Sequence, residues 1–211
     1  MNMLARHARL VMGLLLLLSA AAPGAALNAA SDISPQDLVR DTSTRMLSAL
    51  RDEHASIEQN AERLYEMVDA IVLPYFDFER MSQWVLGPNW RTATPEQRSA
   101  FVEQFRNLLV RTYSRALKDY ADEKITYLPF VNEGNSDLVT VRTEIEHAGS
   151  AIPIAYSMYR SALGWKVYDV SVSGVSLVTN YRSTFGNIIR KEGMDSLIRQ
   201  LAERNSSRSD G

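Results

Sequence analysis

Leu138-Val139-Thr140-Val141-Arg142-Thr143-Glu144-Ile145-Glu146 is the stretch on which the reading of the fold turns. Val139, Val141, Thr143 and Ile145 alternate with Thr140, Arg142, Glu144 and Glu146, and a period of two puts the first set on a buried face and the second in water. Ile152 to Arg160 repeats the alternation with Ile154, Tyr156 and Met158. Trp165 to Ser173 follows, and simple alternation places Tyr168, Val170 and Val172 on one face and Trp165, Val167 and Asp169 on the other. Ahead of these, Ile125 and Tyr127 open a strand that Pro129 confines to an edge or brings to an end. The separators Asn132 to Asn135, Ala148-Gly149-Ser150 and Ser161 to Gly164 are short and turn-like, which suits an antiparallel meander of four strands.

On either side of this block the apolar period is 3.6. Ser34 and Pro35 read as a cap and first position for a helix carrying Val39, Thr42, Met46 and Leu50. After a polar break at Asp52 to Ser56, the stripe Ile57, Ala61, Leu64, Tyr65, Val68, Ile71 and Val72 predicts a second helix, ended by Pro74. Asp77 caps a short third one with Phe78, Met81, Trp84 and Val85 on one side and Gly87-Pro88 as its stop. Thr94-Pro95-Glu96-Gln97 is a capping box opening a long helix, whose stripe is Phe101, Phe105, Leu108, Leu109, Thr112, Tyr113, Ala116, Leu117 and Tyr120. Beyond Gly174 the helical period returns with Val178, Tyr181, Phe185, Ile188 and Ile189. Gly193 interrupts it, and a last helix bears Leu197, Ile198 and Leu201. Helices, then strands, then helices predict an α+β fold with helices packed on one face of a four-stranded antiparallel sheet.

The chain has 211 residues, and 23 basic against 25 acidic side chains leave a net charge of −2, so the clustered basic excess of a nucleic-acid binder is missing. A 45% hydrophobic and 23% charged composition is that of a globular chain. With no cysteine, disulfides, thiolate metal sites, thiol nucleophiles and lipid anchoring through Cys are excluded. Arg6 and Arg9 precede the apolar run Leu10 to Ala22, shorter than the roughly 20 residues of a membrane-spanning helix. Residues 1–26 read as a secretory signal peptide cut after Ala26. Residues 27–204 then form one exported, mildly acidic domain, and 205–211 a polar tail expected to fray.

Chemistry-bearing motifs are scarce. The three histidines, His7, His54 and His147, are scattered, and no zinc motif, nucleophile elbow or phosphate-binding glycine loop occurs, so no metal or cofactor is expected. Asp169 is unexpected inside a strand beside Tyr168. It reads either as a partner of a helix terminus or of Arg182, or as a proton-transfer carboxylate in a cone-shaped pocket. The wide apolar stripes either interdigitate at crystal-like density or leave a lined cavity, and pattern alone leaves both open.

Gly164-Trp165-Lys166-Val167-Tyr168-Asp169-Val170 followed by Gly174-Val175-Ser176-Leu177-Val178-Thr179-Asn180-Tyr181-Arg182-Ser183-Thr184-Phe185 closely resembles the signature of the MlaC family, also called the toluene-tolerance family. Leu73 to Phe78 and Leu86 to Arg98 resemble two further family segments, in the expected order. The resemblance implies a periplasmic phospholipid-binding component of an intermembrane lipid transport system. Its helices and sheet would enclose an apolar pocket that takes acyl chains and leaves the headgroup outside. It also implies a diacyl phospholipid ligand, with two partners: an outer-membrane lipoprotein–porin complex and an inner-membrane ABC-type transporter with a substrate-binding ring. The carrier itself would be a monomer without catalysis. Val175 and Val178 match the family's pocket edge. Periodicity extends the candidate lining to Met81, Phe105, Leu109, Tyr113, Leu117, Val141, Ile154, Tyr156, Tyr181 and Phe185. Two rivals accompany this reading: a small-molecule isomerase or hydrolase using Asp169, and a solid-cored scaffold.

Overall fold

Ser34 starts the first helix by accepting a hydrogen bond from the Asp37 amide at 3.1 Å, with Pro35 preset at the first helical position. The structure is a computed structural model that describes residues 33–119, 122–130 and 136–207, which fall in one compact unit. The expected signal peptide, the Asn132 to Asn135 separator, Tyr120 and residues 208–211 lie outside the described residues. α1 (Pro35–Asp52) is followed by α2 (His54–Gln59) and α3 (Ala61–Ile71). The last two divide the stripe expected to be one helix, because Asn60 is extended and caps α3 anew through the Glu62 amide. A 3-10 turn at Leu73–Tyr75 leads to α4 (Phe78–Leu86), which Asp77 caps by accepting from the Arg80 amide at 2.8 Å. α5 (Pro88–Thr92) occupies what the sequence marks only as a stop. In α6 (Pro95–Asp119) the capping box closes both ways, between the Gln97 amide and Thr94 Oγ1 and between the Thr94 amide and Gln97 Oε1.

The sheet is an antiparallel meander of β1 (Ile125–Tyr127), β2 (Leu138–His147), β3 (Ser150–Ser161), β4 (Gly164–Val172) and β5 (Val175–Ser176), hydrogen-bonded in that order. It has five strands where the sequence predicts four, since β5 spans two residues and carries no readable period. Ser157 pairs with Asp169 and Met158 with Val167, leaving Tyr168 as an extra residue in β4. This bulge resets the alternation. Trp165 and Val167 therefore share the apolar face with Val170, correcting the expectation that they lie on opposite faces. Tyr168 turns the other way, where its ring meets Trp84 at 5.9 Å and Tyr159 at 6.3 Å. Arg80 lies over both tyrosines, and Asp77 accepts from the Tyr159 hydroxyl.

α7 (Leu177–Glu192) and α8 (Met194–Ser207) complete the chain. The expected fraying does not begin at residue 205: α8 continues to Ser207, and Asn205, 6% exposed, donates to the Gln104 carbonyl at 3.0 Å and to Gln104 Oε1 at 2.9 Å. The apolar interior is in three clusters. One joins α4, α6, α7 and α8 through Met81, Phe101, Phe105, Phe185 and Leu197. A second sets Leu38 and Val39 of α1 on Val139, Val141, Met158, Trp165 and Val167 of the sheet. The third joins the far end of α1 to α2 and α3 through Met46, Leu50, Leu64 and Val68.

Gly87, between α4 and α5, sits at φ 53 and ψ −123, outside the range of L side chains, and an added Cβ would stand 2.9 Å from the Arg182 guanidinium. Gly87→Ala should lower stability by about 1–3 kcal/mol in urea unfolding. The Arg182→Ala background should return only part of that loss, because the backbone strain stays. Equal stability of Gly87→Ala and wild type would show that the α4–α5 junction is not built as described.

Candidate functional site

The sheet's apolar face is ordered in rows set by the strand register. The first row is Val139, Met158 and Val167, all buried under α1 and the chain around Phe76. Val141, Tyr156 and Val170 form the second, in which Val141 is buried and the other two are partly exposed. A third row crosses all five strands as Tyr127, Thr143, Ile154, Val172 and Val175. Thr143 is 1% exposed in its middle and Val175 58% exposed at its end. Ile125, Ile145 and Ile152 make the fourth row, and all three are partly exposed. Burial therefore fades along the strands, leaving an apolar surface closed at one end and accessible at the other.

Of the twelve candidate lining residues, Met81, Phe105, Leu109, Val178 and Phe185 are enclosed in the helical cluster, and Tyr181 packs against it. Phe105 stacks on Phe101 at 5.6 Å and meets Phe185 and Tyr181 edge-on. These residues form a packed wall, since burial against neighbouring helices satisfies the periodicity that singled them out. Val141, Ile154 and Tyr156 lie together on the sheet face in the second and third rows. Tyr113 is 37% exposed on α6, and Leu117, one turn further, is partly buried beside the third cluster. The Tyr113 phenol is pushed up to about 12, by burial first and then by the neighbouring Tyr181, and burial likewise raises that of Tyr156. Both are uncharged hydroxyls at neutral pH. Val175 stands alone at the rim, separate from the Val178 side chain three residues on.

Asp169 sits on the opposite face, where it joins sheet to helix. Its Oδ2 accepts from Ser176 Oγ at 2.6 Å and its Oδ1 from the Val178 amide at 3.1 Å, while Ser176 Oγ accepts from the Thr179 amide. Both carboxylate oxygens are thus engaged at the start of α7, where free amides and the helix dipole favour an anion. Sequence reasoning missed the Asp77–Tyr159–Arg80–Tyr168 cluster and the buried Thr143 hydroxyl, which makes no hydrogen bond of good geometry. The Asp77 cap was legible, but its tyrosine partner comes from a strand 82 residues away. Two open grooves are lined by charged and polar side chains. One of about 370 Å³ lies beside Asp77, Arg80 and Trp84, and one of about 290 Å³ lies between α3 and α6 beside Asp69, Arg106 and Arg111. Neither offers an apolar lining. Among the described residues no cluster of three or more His, Asp or Glu could hold a metal, and no helix is long and apolar enough to cross a membrane.

A graded, partly uncovered apolar sheet face and a separately packed helical cluster place the chain among small α+β proteins whose sheet is incompletely covered. The chain belongs to the MlaC protein family, whose sequence profile matches residues 40–203. It is 28% identical over 179 residues to the intermembrane phospholipid transport system binding protein MlaC of Haemophilus influenzae, covering 83% of this chain and 84% of that one. It is 29% identical over 164 residues to the toluene tolerance protein ttg2D of Pseudomonas putida, covering 77% and 76%. The phospholipid-binding protein of Ralstonia solanacearum, solved in complex with a phospholipid, superposes with a TM-score of 0.79 at 30% identity, over 84% of this chain and all of that one.

Asp169→Ala would free the Val178 amide and remove an acceptor from Ser176. It should cost about 1–2 kcal/mol of stability, as the loss of a helix cap does. Asp169→Asn, keeping one acceptor oxygen, should recover part of it in thermal melts. A melting temperature unchanged in both variants would show that the sheet-to-α7 junction does not depend on this carboxylate.

Proposed function

We propose that the chain is a soluble periplasmic carrier that shelters the acyl chains of a phospholipid against the sheet's apolar face while the headgroup stays in water. The observation that carries the reading is the shared fold with a protein solved holding a phospholipid, aligned over that protein's whole length. The rows of the sheet give it a physical form. Tails lie along the face toward the Val139–Met158–Val167 floor, with Val175 at the rim. Each buried methylene is worth about 0.8 kcal/mol, so about a dozen on one chain oppose exposure to water by about 10 kcal/mol, and two chains by roughly twice that. A protein surface of matching apolarity offsets the penalty and makes transfer between bilayer and protein nearly balanced. No chemical step or cofactor is needed, in keeping with an Asp169 already committed to α7.

The Haemophilus relative is named for intermembrane phospholipid transport, which supports a shuttle between two membranes. We infer the partners accordingly: an outer-membrane lipoprotein–porin complex and an inner-membrane ABC-type transporter with a substrate-binding ring. Export by the 1–26 signal peptide and release as a monomer complete the reading.

Protein purified from cells should carry co-extracted phospholipid in native mass spectrometry. Val175→Glu places a carboxylate at the rim, where it is folded at little cost but opposes tails on the third row. It should reduce lipid occupancy several-fold with unchanged circular dichroism. Leu163→Glu, at a hairpin tip 89% exposed and outside the site, should leave occupancy as it is. Uniformly empty wild-type protein that also extracts nothing from liposomes would refute the carrier reading.

A further inference from the structure

Thr143 Oγ1 is buried on the sheet's apolar face and makes no hydrogen bond of good geometry, although the Tyr156 hydroxyl interacts with it at close range. Such a group is disfavoured unless something satisfies it. Two other buried hydroxyls lack partners, Ser82 and Ser114, but both lie inside helices, where rotation brings the hydroxyl toward the carbonyl one turn back. Thr143 lies in the middle of β2, whose carbonyls serve the ladder, and no such turn is at hand. Its surroundings are specific. Tyr127 is directly opposite on β1 and Ile154 directly opposite on β3, and Tyr156 is its diagonal neighbour one row deeper. Three hydroxyl-bearing side chains thus share rows that otherwise hold Val, Ile and Met, and burial keeps the Tyr156 phenol protonated.

We propose that Thr143, with Tyr127 and Tyr156 beside it, is a hydrogen-bonding ledge for an ester carbonyl of a bound diacyl lipid. Recognition would then act on the glycerol-ester region common to diacyl phospholipids, whatever the headgroup. The inference rests on the carrier reading. Depth argues for it: the accessible fourth row is two residues above Thr143, which is about 7 Å along a strand. In a lipid whose headgroup stays in water, the ester carbonyls are the last polar atoms before the hydrocarbon begins. The hydroxyl stands at that level, and the fully buried floor of Val139, Met158 and Val167 lies two rows beneath it. A hydroxyl without a well-formed hydrogen bond in the empty protein and with one in the loaded protein favours the loaded state.

The test compares uptake from vesicles of dioleoyl phosphatidylcholine with uptake from vesicles of its dialkyl-ether counterpart, which has the same tails and headgroup but no carbonyls. Wild type should retain the diester about five-fold better, the effect of one neutral hydrogen bond. Thr143→Val, isosteric and without the hydroxyl, should bind both lipids alike, and Thr143→Ser should restore the preference. Lipid-free Thr143→Val should melt no lower than wild type. Equal retention of diester and diether by wild type, or a preference that survives in Thr143→Val, overturns the ledge and leaves the carrier standing. A lipid-free Thr143→Val that melts several degrees lower overturns it too, because the hydroxyl would then have a partner within the fold. Wild type that takes up neither lipid overturns both readings.

Discussion

An apolar sheet face has to be covered, and in this protein one helix covers only part of it. α1 lays Leu38 and Val39 on the row of Val139, Met158 and Val167 and closes that end, while Ile145, Ile152, Ile154 and Val172 further along remain partly exposed. The long helices that could have completed the cover are engaged elsewhere. α6, α7 and α8 bury Phe101, Phe105, Phe185 and Leu197 against one another and against α4. Apolar surface is thus divided between a self-sufficient helical cluster and an under-covered sheet face.

Two local devices tie the helical cluster to the sheet. The bulge at Tyr168 lets β4 present Trp165 and Val167 and then Val170 to the same side, which lengthens the apolar face by two rows on that strand. It also throws Tyr168 outward to meet Trp84 and Arg80 of α4. Asp169, the next residue, takes the Ser176 hydroxyl and the Val178 amide and so fixes where α7 leaves the sheet. Val175 lies between these anchors in the two-residue β5 and is left at the rim. Strand, bulge, cap and rim follow within eleven residues of chain.

The sequence made the elements legible where a local rule acts alone. The Thr94–Gln97 capping box, the Asp77 and Ser34 caps, and the two-residue period of Leu138 to Glu146 all appear as read. Rules that need a partner far along the chain were out of reach. A bulge adds one residue without disturbing composition, so simple alternation puts Trp165 and Val167 on the face opposite Val170, where the register does not place them. Asn60 looked like one polar residue within a helical stripe, although its extended backbone and its cap to Glu62 split that stripe in two. Asn205 sat in a polar tail, and only its bonds to Gln104, 101 residues away, make it part of the core. For the site, period 3.6 found buried positions such as Met81 and Phe105 without telling burial by a neighbouring helix from burial by a ligand. Period two found Val141, Ile154 and Tyr156, which do share one face.

A carrier of this design must bind its cargo strongly enough to cross water and weakly enough to hand it on, and the composition of the face sets that balance. A wholly aliphatic surface would match lipid tails through area alone, and it would accept any apolar molecule of similar length. Polar side chains placed among aliphatic ones add discrimination, because a ligand lacking the complementary group leaves them unsatisfied. Row three has that mixed character, with Tyr127 and Thr143 in line with Ile154, Val172 and Val175. The rows nearer the floor are almost purely aliphatic, apart from the Tyr156 hydroxyl. On the proposed carrier and ledge readings, selectivity is concentrated near the mouth and affinity toward the floor. A lipid leaving head first breaks its floor contacts last, so release is governed by how far a partner can draw the tails along the face.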